Sequence, residues 1–365
     1  MSKAAELAAL IGSGQAQSNR NLIINGAMQV AQRATSVADP SNGTYGSLDR
    51  FGFFNSNDGA FTISQETTVP SGEGFYNSMK FDCTTADGTI AAGQYATCFQ
   101  NIEGLNNSIL QYGTSDAKSI VVSFYAKSNL TGTFCYSVRN SDVDRSFIKE
   151  WSLASANTWE RISFVIEGDT TGTWLGTNGI GSRHMISLSQ GSTYHGTNNT
   201  WQSGNKTATS NQVNFLSSTD NELFITGWQV EIGSGAPTAF EHEDFATTLA
   251  KCQRFFENVE WNSYVIFGSS YTTTQFVLQQ IIWKVEKRTA PTLTFPTIGT
   301  STGEIQIAKD DANYVTQGSV IRAFITTTGA APYNNNADGY SGLTDDSVCS
   351  LYSVGASTLK VDAEL

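Results

Sequence analysis

The sequence carries little charge, and this scarcity excludes several classes of partner. Only 15% of the residues are charged, against about 25% in an ordinary soluble domain. The balance is acidic, with 33 Asp and Glu against 21 Lys and Arg, a formal net charge of −12. Without a basic cluster, the chain lacks the electrostatic footprint of a protein that binds nucleic acid or an anionic membrane surface. No apolar run approaches the roughly 18 residues of a membrane-spanning helix, so we expect no membrane insertion.

Cysteine is also sparse. The five Cys residues form an odd, scattered set without a Cys-x-x-Cys pair. Such cysteines are typical of reduced thiols packed in a core. The first residues of the sequence lack the long apolar centre of a secretory signal peptide. We therefore expect the protein to fold in a reducing compartment.

The missing charge is replaced by Ser, Thr, Gly and aromatic residues, a composition typical of many short strands joined by tight turns. Five segments show alternating or continuous apolar character between Gly, Asn, Asp and Ser residues. They are residues 61–66, 119–127, 133–140, 159–167 and 223–232. Strands at this spacing without intervening helices indicate a mainly β fold, an antiparallel jelly-roll sandwich.

The pattern divides the chain into three parts. Residues 1–20 combine a short helical segment with a Gly/Ser linker suited to attachment or oligomerisation, and residues 21–242 form the predicted jelly roll. Residues 243–365 begin with a helix and continue as a C-terminal β domain. The helix is predicted over 243–258, with Asp244 as its N-cap and its apolar residues on one face.

Catalytic motifs are missing. His184, His195 and His242 do not lie in a cluster with metal-ligand spacing, and HExxH, GxSxG and phosphate-loop patterns do not occur. The Asp142–Asp144 segment lacks the continuation of a calcium loop. We therefore expect no enzyme activity, no metal and no cofactor, although a carboxylate pair for glycoside hydrolysis would leave no sequence spacing.

Two Gly/Thr/Ser/Asn-rich segments, residues 168–214 and 330–342, are interpreted as loops that carry aromatic residues. An aromatic ring can pack on the apolar face of a sugar while neighbouring amides and hydroxyls bind its hydroxyl groups. The alternative is that these rings only pack loops against the core. The candidates for glycan contact are Trp174, Tyr194, His195, Tyr333 and Tyr340.

Four segments of the sequence form a recognisable set: NLIINGAMQVAQR (21–33), YGSLDRFGF (45–53), SIVVSFYAKSNLTGTFCYSVRN (119–140) and ITGWQVEIGSGAPTAFEHEDFATTLAKCQRFFE (225–257). Together these segments resemble a family of tail-fibre and appendage proteins from tailed bacteriophages. The last segment follows the family's ITG-x-Q-x-E-x-G strand, its FEHR-like turn and its helix ending in CQRYYE. Phe255 and Phe256 replace the usual Tyr pair, and Glu243 replaces the usual Arg. The resemblance covers roughly residues 20–260.

The resemblance implies a jelly roll similar to carbohydrate-binding modules, in a homo-oligomer that is commonly a trimer. It places the protein in a virion assembled in the bacterial cytoplasm, attached through its N-terminus to other phage structural proteins. It also implies a structural role for Trp201.

Three functional hypotheses follow. The favoured one is a tail fibre or spike that binds a bacterial surface polysaccharide through its distal loops. The second is a capsid or tail component that serves assembly without touching a receptor. The third, given the least weight, is a glycan depolymerase.

Overall fold

The computed structural model describes residues 19–40, 43–299, 304–309, 313–314, 321–334, 338, 340, 343 and 348–365. The chain divides into two compact units. The first ends at Thr248 and includes Leu365, and the second covers Leu249–Glu364. The helix predicted before residue 12 lies outside the described residues.

The first unit contains twelve strands, one short α-helix and three short 3-10 helices in the described residues, ahead of the helix at its boundary with the second unit. The strands are β1 (Ser36–Ala38), β2 (Gly52–Asn55), β3 (Ala60–Glu66), β4 (Ser78–Thr85), β5 (Tyr95–Glu103), β6 (Ile120–Ser128), β7 (Gly132–Arg139), β8 (Arg145–Leu153), β9 (Glu160–Ile166), β10 (Ile180–Gln190), β11 (Trp201–Ser203) and β12 (Glu222–Ile232). The helix, α1, is Gly104–Asn107. The five strand segments predicted from sequence correspond to β3, β6, β7, β9 and β12 to within one residue at each end.

These strands form two six-stranded sheets in which every pair is antiparallel. Sheet A has the order β1-β3-β4-β12-β6-β9, and sheet B has the order β11-β8-β7-β10-β5-β2. One apolar core joins their inner faces: Phe61 and Phe124 of sheet A pack with Phe134 and Ile186 of sheet B. Burying each such side chain contributes about 1.5–3 kcal/mol. This is the predicted antiparallel jelly-roll sandwich, and its two outer faces remain for other contacts.

In its described residues, the second unit is an antiparallel sheet of nine strands that follows a helix in the sequence. The helix, α2, is Phe245–Gln253. The strands are β13 (Phe256–Thr272), β14 (Gln275–Leu278), β15 (Ile281–Ile282), β16 (Thr292–Thr294), β17 (Ile305–Lys309), β18 (Asn313–Tyr314), β19 (Arg322–Ile325), β20 (Gly329–Tyr333) and β21 (Val348–Asp362). The unit has its own core, which includes Phe276, Leu351 and Leu359. The predicted C-terminal β domain is therefore confirmed as a β structure.

The helix is present but shorter than predicted. Asp244 caps it as expected, since its Oδ1 accepts a hydrogen bond of 3.0 Å from the Thr247 backbone N–H. The helix ends at Gln253, whereas the sequence pattern extends it to residue 258. The reason is tertiary: from Phe256 onward the backbone pairs with β21, beginning with Asp362. None of the helices in the described ranges has the length and hydropathy to span a bilayer.

Both segments interpreted as loops contain strands. Residues 168–214 include β10, which runs for eleven residues through the centre of sheet B, and the short edge strand β11. The segment from residue 330 begins inside β20. Their Ser, Gly and Ala content concealed them, because Gly and Ser are typical of turns.

Candidate functional site

A cleft of about 220 Å³ lies on the outer face of sheet B. One water needs roughly 10–15 Å³ of such space, so the cleft has room for a group the size of a sugar ring. Its lining comes from four strands and two flanking segments of the first unit. The lining residues are Phe54, Tyr95, Thr97, Arg139, Val143, Met185, Tyr194, Asn205 and Thr207.

Strand alternation explains why these side chains share one face. In β10, Ile186 belongs to the core between the sheets, so its neighbour Met185 points to the opposite face. Phe99 of β5 and Ser137 of β7 lie directly opposite Met185 in register. Phe54 of β2 lies opposite Thr97 of β5 in the same way. The sheet therefore brings residues far apart in sequence to one surface.

Aromatic rings form a continuous wall of the cleft. The Phe54 ring stacks on Phe99 with centroids 4.6 Å apart, and Tyr95 lies 5.7 Å from Phe54. Tyr194 continues the wall, 4.8 Å from Tyr95. Gly52 makes room for this arrangement, because a Cβ there would lie 2.2 Å from the Phe99 ring. Phe54, Tyr95 and Tyr194 are half-buried, so each keeps part of its ring accessible.

The polar side chains of the cleft are held in place by hydrogen bonds. Gln190 Nε2 donates to Thr97 Oγ1 at 2.6 Å, and Thr207 Oγ1 donates to Gln190 Oε1 at 3.1 Å. Arg139 Nη1 donates to Asn205 Oδ1. A polar group fixed before a ligand arrives loses less entropy on binding than a mobile one. These polar side chains are therefore already positioned before a ligand binds.

Arg183 stands beside the cleft. Its guanidinium lies 4.5 Å from the Phe99 ring centroid and 5.2 Å from that of Phe54. Its Nε donates to Asn101 Oδ1 at 2.6 Å. Desolvation by burial lowers the pKa of Arg183. The cation packs against the Phe99 and Phe54 rings and so stabilises their positions.

Val143 reaches the cleft from the turn between β7 and β8, and its backbone is strained. Its φ of 61° lies in the left-handed region, where a β-branched residue is a rare outlier that costs about 1–3 kcal/mol. Asn140 holds the turn, because its Oδ1 accepts hydrogen bonds from the backbone N–H groups of Asp144 and Arg145 at 3.2 and 3.1 Å. The strain places an apolar side chain at the cleft.

Of the five residues proposed from sequence, Tyr194 lies in this cleft. Trp174 closes one end of the sandwich core: its ring packs edge-on against Tyr112 and Trp201, and its Nε1 donates to Thr171 O at 3.1 Å. His195 lies next to the cleft, with its Nε2 3.1 Å from Gln190 O. These contacts support a packing role for Trp174 and for Trp201.

The other two candidates belong to the second unit. Tyr340 is 3% exposed and packs edge-on against Phe276, so its ring is part of the core and offers no face to a ligand. Tyr333 ends β20 and stacks on Phe324 with centroids 4.4 Å apart. Tyr333 and Tyr340 therefore do not line the cleft of sheet B.

The sequence pattern did not identify most of the residues that line the cleft. Phe54, Tyr95, Arg139 and Met185 occur in four separate strands, and their common face follows from strand order. The one available signal was the run of polar residues in β10, where Arg183, Ser187 and Ser189 alternate with His184, Ile186 and Leu188. Such alternation marks a strand with one non-core face.

The described lining of the cleft lacks the side chains that most often transfer protons in enzymes. It contains no Asp, Glu or His among the described residues. Across all the described residues of the chain, no group of three or more His, Cys, Asp or Glu side chains is arranged to hold a metal ion. What the cleft does offer is an aromatic surface, fixed hydroxyls and amides, and a guanidinium.

Comparisons with known proteins gave distant matches in structure alone. The sequence matches no protein-family model and no curated protein. Among solved structures, a putative sugar-binding protein from Bacteroides thetaiotaomicron is 15% identical, with a TM-score of 0.33, covering 58% of this chain and 100% of that one. The family 11 carbohydrate-binding module of Clostridium thermocellum Lic26A-Cel5E is 12% identical, with a TM-score of 0.28, covering 54% and 95%.

The enzymatically active domain of bacteriophage CBA120 tailspike protein 4 also matches, at 13% identity and a TM-score of 0.30. That match covers 58% of this chain and 21% of the tailspike domain, so the chain spans about a fifth of its length. All these similarities are too distant to carry a functional argument.

Proposed function

We propose that this chain is a structural protein of a tailed-bacteriophage particle, a tail fibre or spike, and that its sandwich binds a bacterial surface glycan. The phage assignment, the virion location and a homo-oligomeric state, most simply a trimer, rest on the sequence resemblance. The glycan assignment rests on the cleft of sheet B. We propose binding without catalysis, since the described lining supplies no acid or base.

One observation carries the proposal: accessible aromatic rings stand next to fixed polar groups in a concave site. The half-buried rings of Phe54, Tyr95 and Tyr194 offer apolar surface for the face of a pyranose. Thr97 and Asn205 lie beside them with hydroxyl and amide groups for sugar hydroxyls. Binding therefore takes place on a sheet face and its flanking segments, where the sequence had suggested distal loops.

Truncation of Tyr95 tests this proposal. Tyr95→Ala removes the ring at the centre of the wall, and we expect about a ten-fold or greater loss of affinity, as for other central aromatic contacts. The measurement is binding of the full-length chain to an array of bacterial surface polysaccharides. Tyr76→Ala is the matched control, because Tyr76 is highly exposed and does not line the cleft.

A Tyr95→Ala protein that keeps wild-type affinity for a bound polysaccharide would show that the cleft is not the site. A fluorescently labelled wild-type chain should also adsorb to host cells, and free polysaccharide should compete. Failure to adsorb to any tested host would favour the assembly role.

One feature of the second unit favours that second function. The outer face of its sheet, opposite the core, carries Phe267, Val348 and Phe324, which are 53%, 62% and 64% exposed. Ser269 lies opposite both Val277 and Val348 in register, so β14, β13 and β21 present one continuous face. Exposed apolar patches of this kind mark interaction sites. An assembly role, with or without glycan binding, would use this face.

A further inference from the structure

Arg139 is a buried cation that has no carboxylate partner among the described residues. It is 8% exposed and lines the cleft. Its Nη1 is bound to Asn205, while no hydrogen bond to a described residue engages its Nε or Nη2. These two nitrogens form one edge of the guanidinium, the edge that binds a carboxylate with two parallel hydrogen bonds.

Other arginines of the described residues do have a carboxylate partner. Elsewhere Arg145 is paired with Asp169 through contacts of 2.7 and 2.8 Å, and Arg322 is paired with Asp338 at 2.9 Å. The chain has 33 acidic residues against 21 basic ones, so acids are available. In the described ranges, neither Arg139 nor Arg183 has a carboxylate within 4.0 Å.

The charge of a second arginine raises the free-energy cost of burying Arg139. Arg183 lies directly opposite Arg139 in the β10–β7 register, on the same face of sheet B. Like charges opposite each other in a sheet are destabilising. The ionisable groups that act on Arg139 are Arg183, Tyr95 and Tyr194, and those that act on Arg183 are Tyr45 and Tyr95. Burial, and then the charge of Arg183, lower the pKa of Arg139 to about 9, so the guanidinium remains protonated at neutral pH.

The geometry points to an acidic sugar residue as the ligand of this cleft, with its carboxylate bound by Arg139 and its ring packed on the wall of Tyr95 and Tyr194. This inference rests on the proposed function and narrows its substrate class to acidic glycans. An unpaired buried guanidinium is costly in the free protein, and an incoming anion removes that cost. The net charge of −12 repels polyanions at long range, so the attraction is confined to the cleft.

The test compares polysaccharides that differ only in their carboxylates. The probes are hyaluronan, polygalacturonate and polysialic acid, each paired with its carboxyl-reduced form. The full-length chain is measured by biolayer interferometry. We expect at least one acidic polymer to bind about ten-fold or more tightly than its reduced form, the effect of one charge-assisted bidentate contact.

Substitution of Arg139 assigns this preference to the cleft. Arg139→Gln should abolish the difference between the acidic and reduced forms, and Arg139→Lys, which keeps the charge but loses the fork, should retain part of it. Arg161→Gln is the matched control, because Arg161 is exposed on β9 of sheet A. Arg139→Gln should unfold at or above the wild-type temperature, since it removes an unpaired buried charge.

The outcomes separate this inference from the proposed function. If no acidic polymer binds more tightly than its reduced form, or if the preference survives in Arg139→Gln, the inference is overturned. If neutral polymers bind and Tyr95→Ala weakens them, the cleft is still a glycan site and only its acidic specificity is wrong. If Tyr95→Ala leaves all binding unchanged, the proposed site itself fails.

Discussion

A buried histidine at the centre of the sandwich should make the first unit sensitive to acid. His184 of β10 is fully buried, and the Tyr136 hydroxyl lies 2.7 Å from its Nδ1. Trp228 Nε1 donates to the Tyr136 oxygen at 3.3 Å, so the tyrosine hydroxyl is free to donate its own proton to His184. Ser182 Oγ lies 3.2 Å from His184 Nε2 and donates to Asn107 Oδ1 at 2.7 Å. This chain of donors suits a neutral imidazole with its proton on Nε2.

The magnitude follows from the pKa of this group in the two states. Burial lowers the pKa of His184 to about 3 in the folded protein, against about 6.5 in an unfolded chain. Because the folded pKa is depressed, the unfolded state binds more protons between these values, and stability falls as the pH falls below about 6.5. The slope is about 1.4 kcal/mol per pH unit, so the free energy of unfolding should drop by about 2 kcal/mol between pH 7 and pH 5.

The assay is urea unfolding of the full-length chain at pH 7, 6 and 5, followed by hydrogen exchange of the β10 amides so that the first unit is observed. His184→Gln is measured alongside, because a neutral amide does not titrate. Other titrating groups contribute equally to both proteins and cancel in the difference. The wild type should lose about 2 kcal/mol more than the variant between pH 7 and pH 5.

An equal loss in the two proteins would refute the reasoning. A second measurement covers the case in which the variant folds poorly. The imidazole resonance of His184 in the wild-type NMR spectrum should keep its neutral chemical shift down to pH 5. Titration of that resonance near pH 6.5 would show that the imidazole is not desolvated in solution.

Two further predictions concern the second unit. Glu257 Oε2 and Lys287 Nζ form a buried ion pair at 2.7 Å. Glu257→Gln should therefore lower the free energy of unfolding by about 3–5 kcal/mol in urea, and the double variant Glu257→Leu/Lys287→Met should recover most of it. Val348→Asp places a charge on the exposed apolar face and should lower the oligomer mass in light scattering. An unchanged mass would show that this face is not the interface.

Local pattern was sufficient for the strands with one apolar face. The segment 223–232 begins with the apolar run Leu223–Ile225, alternates from Trp228 to Ile232, and corresponds to β12 to within one residue. Asp244 was likewise predictable as a helix cap, because a cap depends on the first turn alone. The β class of both units followed from composition and these patterns together.

The local sequence pattern gave the wrong secondary structure where strand pairing with distant residues determines the backbone conformation. β10 reads as loop because of its Ser, Gly, Arg and His residues, yet it lies between β7 and β5 in the middle of sheet B. The helix predicted through residue 258 stops at Gln253 because β13 begins at Phe256 and pairs with a strand about a hundred residues later. Tyr340 resembles a binding-loop residue but is buried against Phe276.

Composition and short-range periodicity are enough to show that the chain is acidic, rich in β-strands and without a metal or catalytic motif. The place where ligand contacts can gather depends on the tertiary structure. Phe54, Tyr95, Arg139 and Tyr194 are separated by up to 140 residues, and the strand order of sheet B places them around one cleft. The unpaired charge of Arg139 was equally invisible, because a missing counter-ion is a property of neighbours in space and not of neighbours in sequence.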